Sequence, residues 1–222
     1  LKAAAVVVPI NYMFKIEEAK FILEDSQAIC LVTSRIYVDM AEELRLRVDS
    51  LKHIITTTKA NDDTTDFNRI KKDNPEILNK VSSQPQDLAV ILYTSGTTGH
   101  PKGAMLTHYN LVSNASDCAE AIKATHRDTC ICILPLFHSF AATVCMIAPL
   151  YLGASVVIMV RFNPIEVLKK IEEEKVTLFA GVPSMYAVWA GIEPPKIDLS
   201  SWKLCISGGA ALPVEVMKAF EA

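Results

Sequence analysis

The chain has 222 residues, half of them hydrophobic, and a formal net charge of −3. That length allows one large domain or two small ones, with enough apolar material for a sizeable core. No basic block exceeds a pair (Lys71-Lys72, Lys169-Lys170), which argues against nucleic-acid binding, because that requires many Lys or Arg contacts to phosphate.

In chain order, Leu1-Lys-Ala-Ala-Ala-Val-Val-Val-Pro9 holds a short apolar run without a signal-peptide cleavage pattern. It reads as a helix end entering a strand, without an initiating Met, so the chain is expected to begin mid-domain. A strand over 6–10, a helix over 16–24 (apolar face Ile16, Ala19, Phe21, Leu23), a strand over 28–32, a helix over 37–48 and a strand over 53–57 follow. Alternation of this kind predicts a parallel sheet with crossover helices. Residues 58–86 turn polar, with a short helix over 67–72.

Leu88-Ala-Val-Ile-Leu92 then reads as a buried strand running into Tyr93-Thr-Ser-Gly-Thr-Thr-Gly-His-Pro-Lys-Gly103. After it come a helix over 110–122, strands over 129–134 and 155–159, and between them a helix over 140–152, apolar all round. A helix over 164–174 has Asn163 as N-cap, Pro164 at its first position and an inner stripe of Ile165, Leu168 and Ile171. A strand over 177–180, a helix over 183–189, a strand over 203–207, a Gly-Gly turn and a helix from Pro213 complete the chain. That last helix reaches Ala222 without a C-cap, so truncation is expected at this end too. The fold class is α/β, with mainly parallel sheets and crossover helices in two packed α/β subdomains. The first is expected over 1–60 and the second over 87–222, with 61–86 as a polar excursion or linker.

Between Thr129 and Val160 no residue is charged, which is long enough to span a bilayer. Pro135, His138, Ser139, Pro149 and Gly153 divide it, however, into a buried strand–helix–strand unit. Peripheral association is the one membrane role left open. The six cysteines are irregularly spaced and form no CxxC pair; Cys130-Ile-Cys132 points two thiols to one face of a strand. Reduced, buried thiols in a cytoplasmic protein are expected, with no metal ligand set. No GxSxG elbow marks a hydrolase nucleophile.

The 93–103 stretch has the chemistry of a phosphate cradle. Glycines let backbone N–H groups approach an anion, Ser and Thr hydroxyls donate to its oxygens, and Lys102 adds a mobile charge. It is neither a Walker A loop nor a GxGxxG fingerprint. On the residues alone it is an anion-binding loop or simply a Gly/Thr turn. His138 alone reads as a core or helix-cap histidine before a site residue, and Gly208-Gly209 alone is an ordinary strand–helix turn. Met185 and Tyr186 are core or pocket wall; Glu193, Lys196 and Asp198 are surface.

Tyr-Thr-Ser-Gly-Thr-Thr-Gly-x-Pro-Lys-Gly resembles the AMP-binding signature of the adenylate-forming superfamily, with His100 at the variable position. That superfamily comprises acyl- and aryl-CoA synthetases, luciferases and peptide-synthetase adenylation domains. Ala5–Asn11, Pro135-Leu-Phe-His-Ser-Phe140, Gly181-Val-Pro-Ser-Met-Tyr186 and Ser207-Gly-Gly-Ala-Ala-Leu-Pro213 resemble further segments of the family's large N-terminal domain, in family order. The resemblance implies that Thr94, Ser95, Gly96, Thr97, Thr98, Gly99 and Lys102 wrap the ATP phosphates. It implies that Gly208, Gly209, Ala210 and Ala211 lie beside adenine and the acyl group, and that His138 lies near the acyl and acceptor end. Lys102, Thr94 and His138 are the catalytic candidates.

The implied protein is an ATP-dependent acyl-CoA synthetase. It joins a small-molecule carboxylate to CoA through an acyl-adenylate, and releases AMP and pyrophosphate. The Ala/Met/Ile-rich helix after His138 and the Ala210-Ala211 pair favour a fatty acid. The family's Mg²⁺ ligand, ribose-binding Asp and C-terminal Lys are expected downstream of Ala222, so the isolated 222 residues are expected to be inactive. Two alternatives stand beside this. One is another adenylate-forming enzyme (aryl-CoA ligase, luciferase-like or peptide-synthetase domain). The other is a non-catalytic nucleotide-binding module. Oligomeric state is not legible.

Overall fold

Lys15 and Glu18 open the first helix by exchanging hydrogen bonds. The Lys15 N–H donates to the Glu18 carboxylate at 2.8 Å, and the Glu18 N–H donates to the Lys15 carbonyl at 3.1 Å. The computed structural model describes residues 1, 3–58, 64–73, 81–94, 101–193 and 195–221. These fall into two compact units, Leu1–His108 and Tyr109–Ala222.

In the first unit, α1 (Ile16–Asp25) buries Ala19, Ile22 and Leu23. Ile22 takes the place expected for Phe21, which is half-buried. Next come β1 (Cys30–Thr33), a 3₁₀ turn (Arg35–Tyr37), α2 (Val38–Arg47), β2 (His53–Thr56), β3 (Thr65–Asp66) and α3 (Phe67–Asp73). The strands form a parallel sheet in the order β1-β2-β3. Ala19 and Leu23 of α1 pack with Leu44, Val48 and Leu51 as one core.

Two expectations for this unit need correction. Residues 6–10 form only a parallel bridge, Val7 to Val90. The Val7 N–H donates to Ala89 and the Ile91 N–H donates to Val7, but Pro9, next in register, has no N–H with which to extend the ladder. The segment after the Gly/Thr stretch is a strand rather than a lead-in to a helix. β4 (Leu88–Thr94) pairs antiparallel with β5 (Lys102–Thr107), from Leu88–Thr107 to Thr94–Lys102. β4 is mostly half-buried rather than buried, and its backbone groups need a partner strand.

The second unit contains most of α4 (His108–Ala121), then β6 (Thr129–Cys132) and a continuous helical segment. That segment is α5 (Ser139–Ala141), a π-helical stretch (Ala142–Ile147) and α6 (Ala148–Leu152). The π stretch coincides with Pro149, which has no N–H to give the Cys145 carbonyl. β7 (Ser155–Ile158), α7 (Pro164–Glu173), β8 (Leu178–Gly181), α8 (Pro183–Ala190), β9 (Leu204–Ser207) and α9 (Val214–Glu221) follow. Asn163 caps α7, its Oδ1 accepting from the N–H groups of Ile165 and Glu166 at 3.1 Å. Val167 rather than Ile165 joins Leu168 and Ile171 in the buried stripe.

The four strands are all parallel, in the order β7-β6-β8-β9. Strand alternation sorts their side chains onto two faces. Ile131 and Phe179 meet Val167, Leu168 and Ile171 of α7 and Tyr186 and Trp189 of α8. Cys132 and Ala180 face the opposite way and meet Cys145 of the π stretch. All six cysteines are free thiols. Burial holds Cys205 up at about 12. Cys145 is also raised to about 12, first by its hydrogen bond with Cys130. The uncharged stretch over 129–160 is thus divided between β6, the helical segment and β7. No helix among the described residues is long and apolar enough to cross a membrane.

Asp128 ties the amino ends of three strands. Its buried carboxylate accepts from the Thr125 N–H at 2.8 Å and the Thr125 hydroxyl at 3.1 Å, from the Thr177 hydroxyl at 2.8 Å and from Lys203 Nζ at 3.4 Å. Burial by itself raises the carboxyl pKa, but these hydrogen bonds together outweigh it and hold the group below its ordinary value. A pKa lowered by folding adds stability that is complete above the ordinary 3.8 and is lost as pH falls through the folded value. Asp128→Ala is therefore expected to cost about 2–3 kcal/mol at neutral pH in urea unfolding. The difference from wild type should shrink below pH 4; a cost that is the same at pH 3 and pH 7 would refute the charged network.

Candidate functional site

The expected site residues fall in both units, one group in each. In the first, β4 and β5 close on the pair Thr94–Lys102, both exposed. Ser95, Gly96, Thr97, Thr98, Gly99 and His100 lie outside the described residues. One position below the closing pair, Tyr93 faces Gly103. A Cβ on Gly103 would stand 2.7 Å from Cγ2 of Ile91 and 3.1 Å from Cζ of Tyr93, so only glycine lets the Tyr93 ring lie across β5.

In the second unit the candidates gather at the carboxyl ends of β6, β8 and β9. The chain turns there at Pro135–Phe140, Gly181–Pro183 and Gly208–Leu212. Strand order reverses between β6, whose crossover leads to β7 on one side, and β8, whose crossover leads to β9 on the other. In open parallel sheets such a switch point leaves a crevice for ligands. Phe140 lies at this edge and packs against the cores on both faces of the sheet.

Gly208 meets this ring. Its N–H donates to the Gly181 carbonyl at 3.0 Å, and a Cβ placed on it would stand 2.6 Å from Cε2 and Cζ of Phe140. The sheet edge thus brings together the Pro135–Phe140 segment, Gly181 and the Gly-Gly turn. Gly209 has φ +80°, a left-handed conformation that disfavours any side chain. Ala210 and Ala211 are exposed. Gly208→Ala is expected to cost about 1–3 kcal/mol through overpacking against Phe140. Trimming that ring in Gly208→Ala/Phe140→Leu should return part of the loss in thermal denaturation. Additive losses would show that the two positions do not interact.

His138 occupies the N-cap position of α5 with its side chain exposed, so the core reading does not hold. Its carbonyl accepts from the Ala142 N–H at 2.9 Å, and its imidazole lies 4.4 Å from the Phe137 ring, tilted by 50°. The side chain makes no capping hydrogen bond, so the cap reading fails for the imidazole. Tyr186 is core: it is 2% exposed and its hydroxyl donates to the Ile206 carbonyl at 2.8 Å. Ser207 was not foreseen as a site residue. Its hydroxyl is buried at the end of β9 without a hydrogen-bond partner among the described residues. A serine directly before two glycines at a strand end is the sequence signal for it.

These features place the chain among α/β proteins whose glycine turns lie at carboxyl strand ends. All 222 residues match the family described as AMP-binding enzyme, and the chain belongs to that family. It is 32% identical over 250 residues to the long-chain-fatty-acid–CoA ligase of Bacillus subtilis, covering 100% of this chain and 45% of that protein. It is 32% identical over 216 residues to feruloyl-CoA synthase of Amycolatopsis sp, covering 97% and 41%. The chain therefore spans less than half the length of these relatives.

Similar solved structures are adenylate-forming enzymes. Anthranilate CoA ligase AuaEII in complex with anthranoyl-AMP aligns with a TM-score of 0.86 at 28% identity, over 98% of this chain and 43% of that one. The N-terminal domain of FACL13 from Mycobacterium tuberculosis aligns with a TM-score of 0.87 at 28% identity, over 98% and 54%.

Proposed function

We propose that this chain supplies the ATP-phosphate loop and part of the acyl pocket of an AMP-forming acid–thiol ligase. The observation that carries the reading is the Tyr93–Gly103 signature, whose flanking Thr94 and Lys102 stand exposed at the end of a paired hairpin. In the first half-reaction a carboxylate oxygen bonds to the α-phosphorus of ATP and the bond to the pyrophosphate oxygen breaks. Lys102 and the Thr94 hydroxyl hold the phosphates and offset charge building on the departing pyrophosphate. In the second, the CoA sulfur bonds to the acyl carbon and AMP leaves. His138, exposed at the sheet edge, faces the acyl and acceptor end in this reading.

Among the described residues no group of three or more His, Cys, Asp or Glu is placed to hold a metal ion. Mg²⁺ would be held largely by phosphate oxygens and water in this reading, with its protein ligand expected outside these 222 residues. The free thiols support a reducing, cytoplasmic setting.

Phe140 over Gly208 and the apolar helical segment behind it favour an aliphatic acid. The feruloyl-CoA synthase relative favours an aryl acid as the second reading. ATP–pyrophosphate exchange by the protein from the complete reading frame, run with fatty, aryl and amino acids, separates them. Exchange led by a medium- or long-chain fatty acid is the expected result. Exchange with no carboxylate would remove the ligase reading and leave a nucleotide-binding module. The 222 residues alone are expected to form no acyl-CoA.

A further inference from the structure

Tyr93 adjoins Thr94 but has no part in the phosphate chemistry above. With the Cβ of Gly103 absent, its ring crosses β5, and its hydroxyl donates to Oδ2 of Asp25 at 2.5 Å, across 68 residues of sequence. Asp25 is the last residue of α1, whose final turn holds no basic residue. A carboxylate there faces the negative end of the helix dipole, so local helix chemistry disfavours it. Tyr93 supplies the compensating donor. Burial, and then the Asp25 carboxylate, push the phenol well above its usual range, so the hydroxyl keeps its proton at neutral pH. An O–H donor on a carboxylate is a charge-assisted and therefore strong hydrogen bond.

The bond joins the end of a core-packed helix to the exposed end of a hairpin. α1 is rooted in the first unit's core by Ala19 and Leu23. Among the described residues, the end of the β4–β5 hairpin beyond Tyr93 and Gly103 is the exposed pair Thr94 and Lys102. A two-stranded hairpin is marginally stable alone and twists readily.

We propose that Tyr93 and Asp25 are positioning residues, a tether that holds Thr94 and Lys102 at the height and angle required by the ATP phosphates. This rests on reading that hairpin end as the ATP-phosphate site. The geometry separates the tether from general stability. Asp25 is exposed, so its loss leaves no cavity, and the bond acts on the hairpin end rather than on the core.

The test uses the protein from the complete reading frame. Tyr93→Phe and Asp25→Ala should each weaken ATP binding in isothermal titration roughly tenfold, the size expected for one charge-assisted hydrogen bond. The KM for the carboxylate should stay within twofold. The double variant should be no worse than either single one, and Asp25→Asn, which keeps an acceptor oxygen, should recover most of the affinity. Lys102→Ala is the control for the underlying reading. If it leaves ATP affinity and exchange unchanged, the phosphate-site reading falls and the tether with it. If Lys102→Ala has its effect but Tyr93→Phe and Asp25→Ala leave ATP affinity within twofold, the tether alone is overturned. Equal losses for ATP and carboxylate in those variants overturn it as well.

Discussion

Lys102→Ala is expected to slow adenylation roughly 100-fold, the usual loss when one preorganised donor to developing charge is removed. The side chain is exposed at the first residue of β5, and the pairing with Thr94 is made by backbone atoms that the substitution retains. The folded state therefore changes little; surface substitutions of this kind stay within about 0.5 kcal/mol. Catalysis and stability separate cleanly at this position. ATP–pyrophosphate exchange should fall while the thermal midpoint holds. Lys102→Arg should restore part of the rate, since it keeps the charge but replaces a compact ammonium by a planar fork. An unchanged exchange rate in Lys102→Ala would remove Lys102 from the chemistry.

Phe179→Ala is expected to destabilise the second unit by about 3–5 kcal/mol. Phe179 is fully buried in β8. Its ring meets Trp189 at 4.9 Å, Trp202 at 5.9 Å and Tyr186 at 6.1 Å, all edge-on. The substitution removes a large apolar side chain and three aromatic contacts at once. The neighbours are held elsewhere: the Trp189 indole donates to the Pro164 carbonyl at 3.0 Å and the Tyr186 hydroxyl to Ile206. They cannot easily collapse into the space, which puts the loss at the upper end of the range for such truncations. In a chain of this size the thermal midpoint should drop roughly 10 °C. Both tryptophans of the chain border the gap, so their emission should shift to the red. A loss below 1 kcal/mol would mean that the aromatic cluster is not the centre of this core. Gly181, which holds the Gly208 N–H, ends β8, so activity should decline with stability.

Much of the fold was legible locally. Asn163 followed by Pro164 is a helix start whatever surrounds it, because the cap is made by atoms two and three residues away. The alternation at Cys130-Ile-Cys132 placed both thiols on one face, because strand geometry has a period of two. The candidate site was legible as a motif at Tyr93–Gly103 and as a glycine turn at Gly208-Gly209. The misreadings came where partners were distant. Nothing near Val6–Ile10 reveals that Pro9 would end a ladder with β4, and nothing near Ala104 announces a strand.

The sequence by itself determined most of the element order, the Asn163 cap, the two-faced strands and the residue types of the proposed phosphate loop, since each depends on neighbours within about four positions. The tertiary structure decided the rest: the order β7-β6-β8-β9 with its switch point, the antiparallel closure of Thr94 on Lys102, Phe140 against Gly208, and Asp25 as the partner of Tyr93. Those contacts join residues far apart in the chain. They are selected by burial and hydrogen-bond satisfaction across the whole unit, which no local pattern encodes.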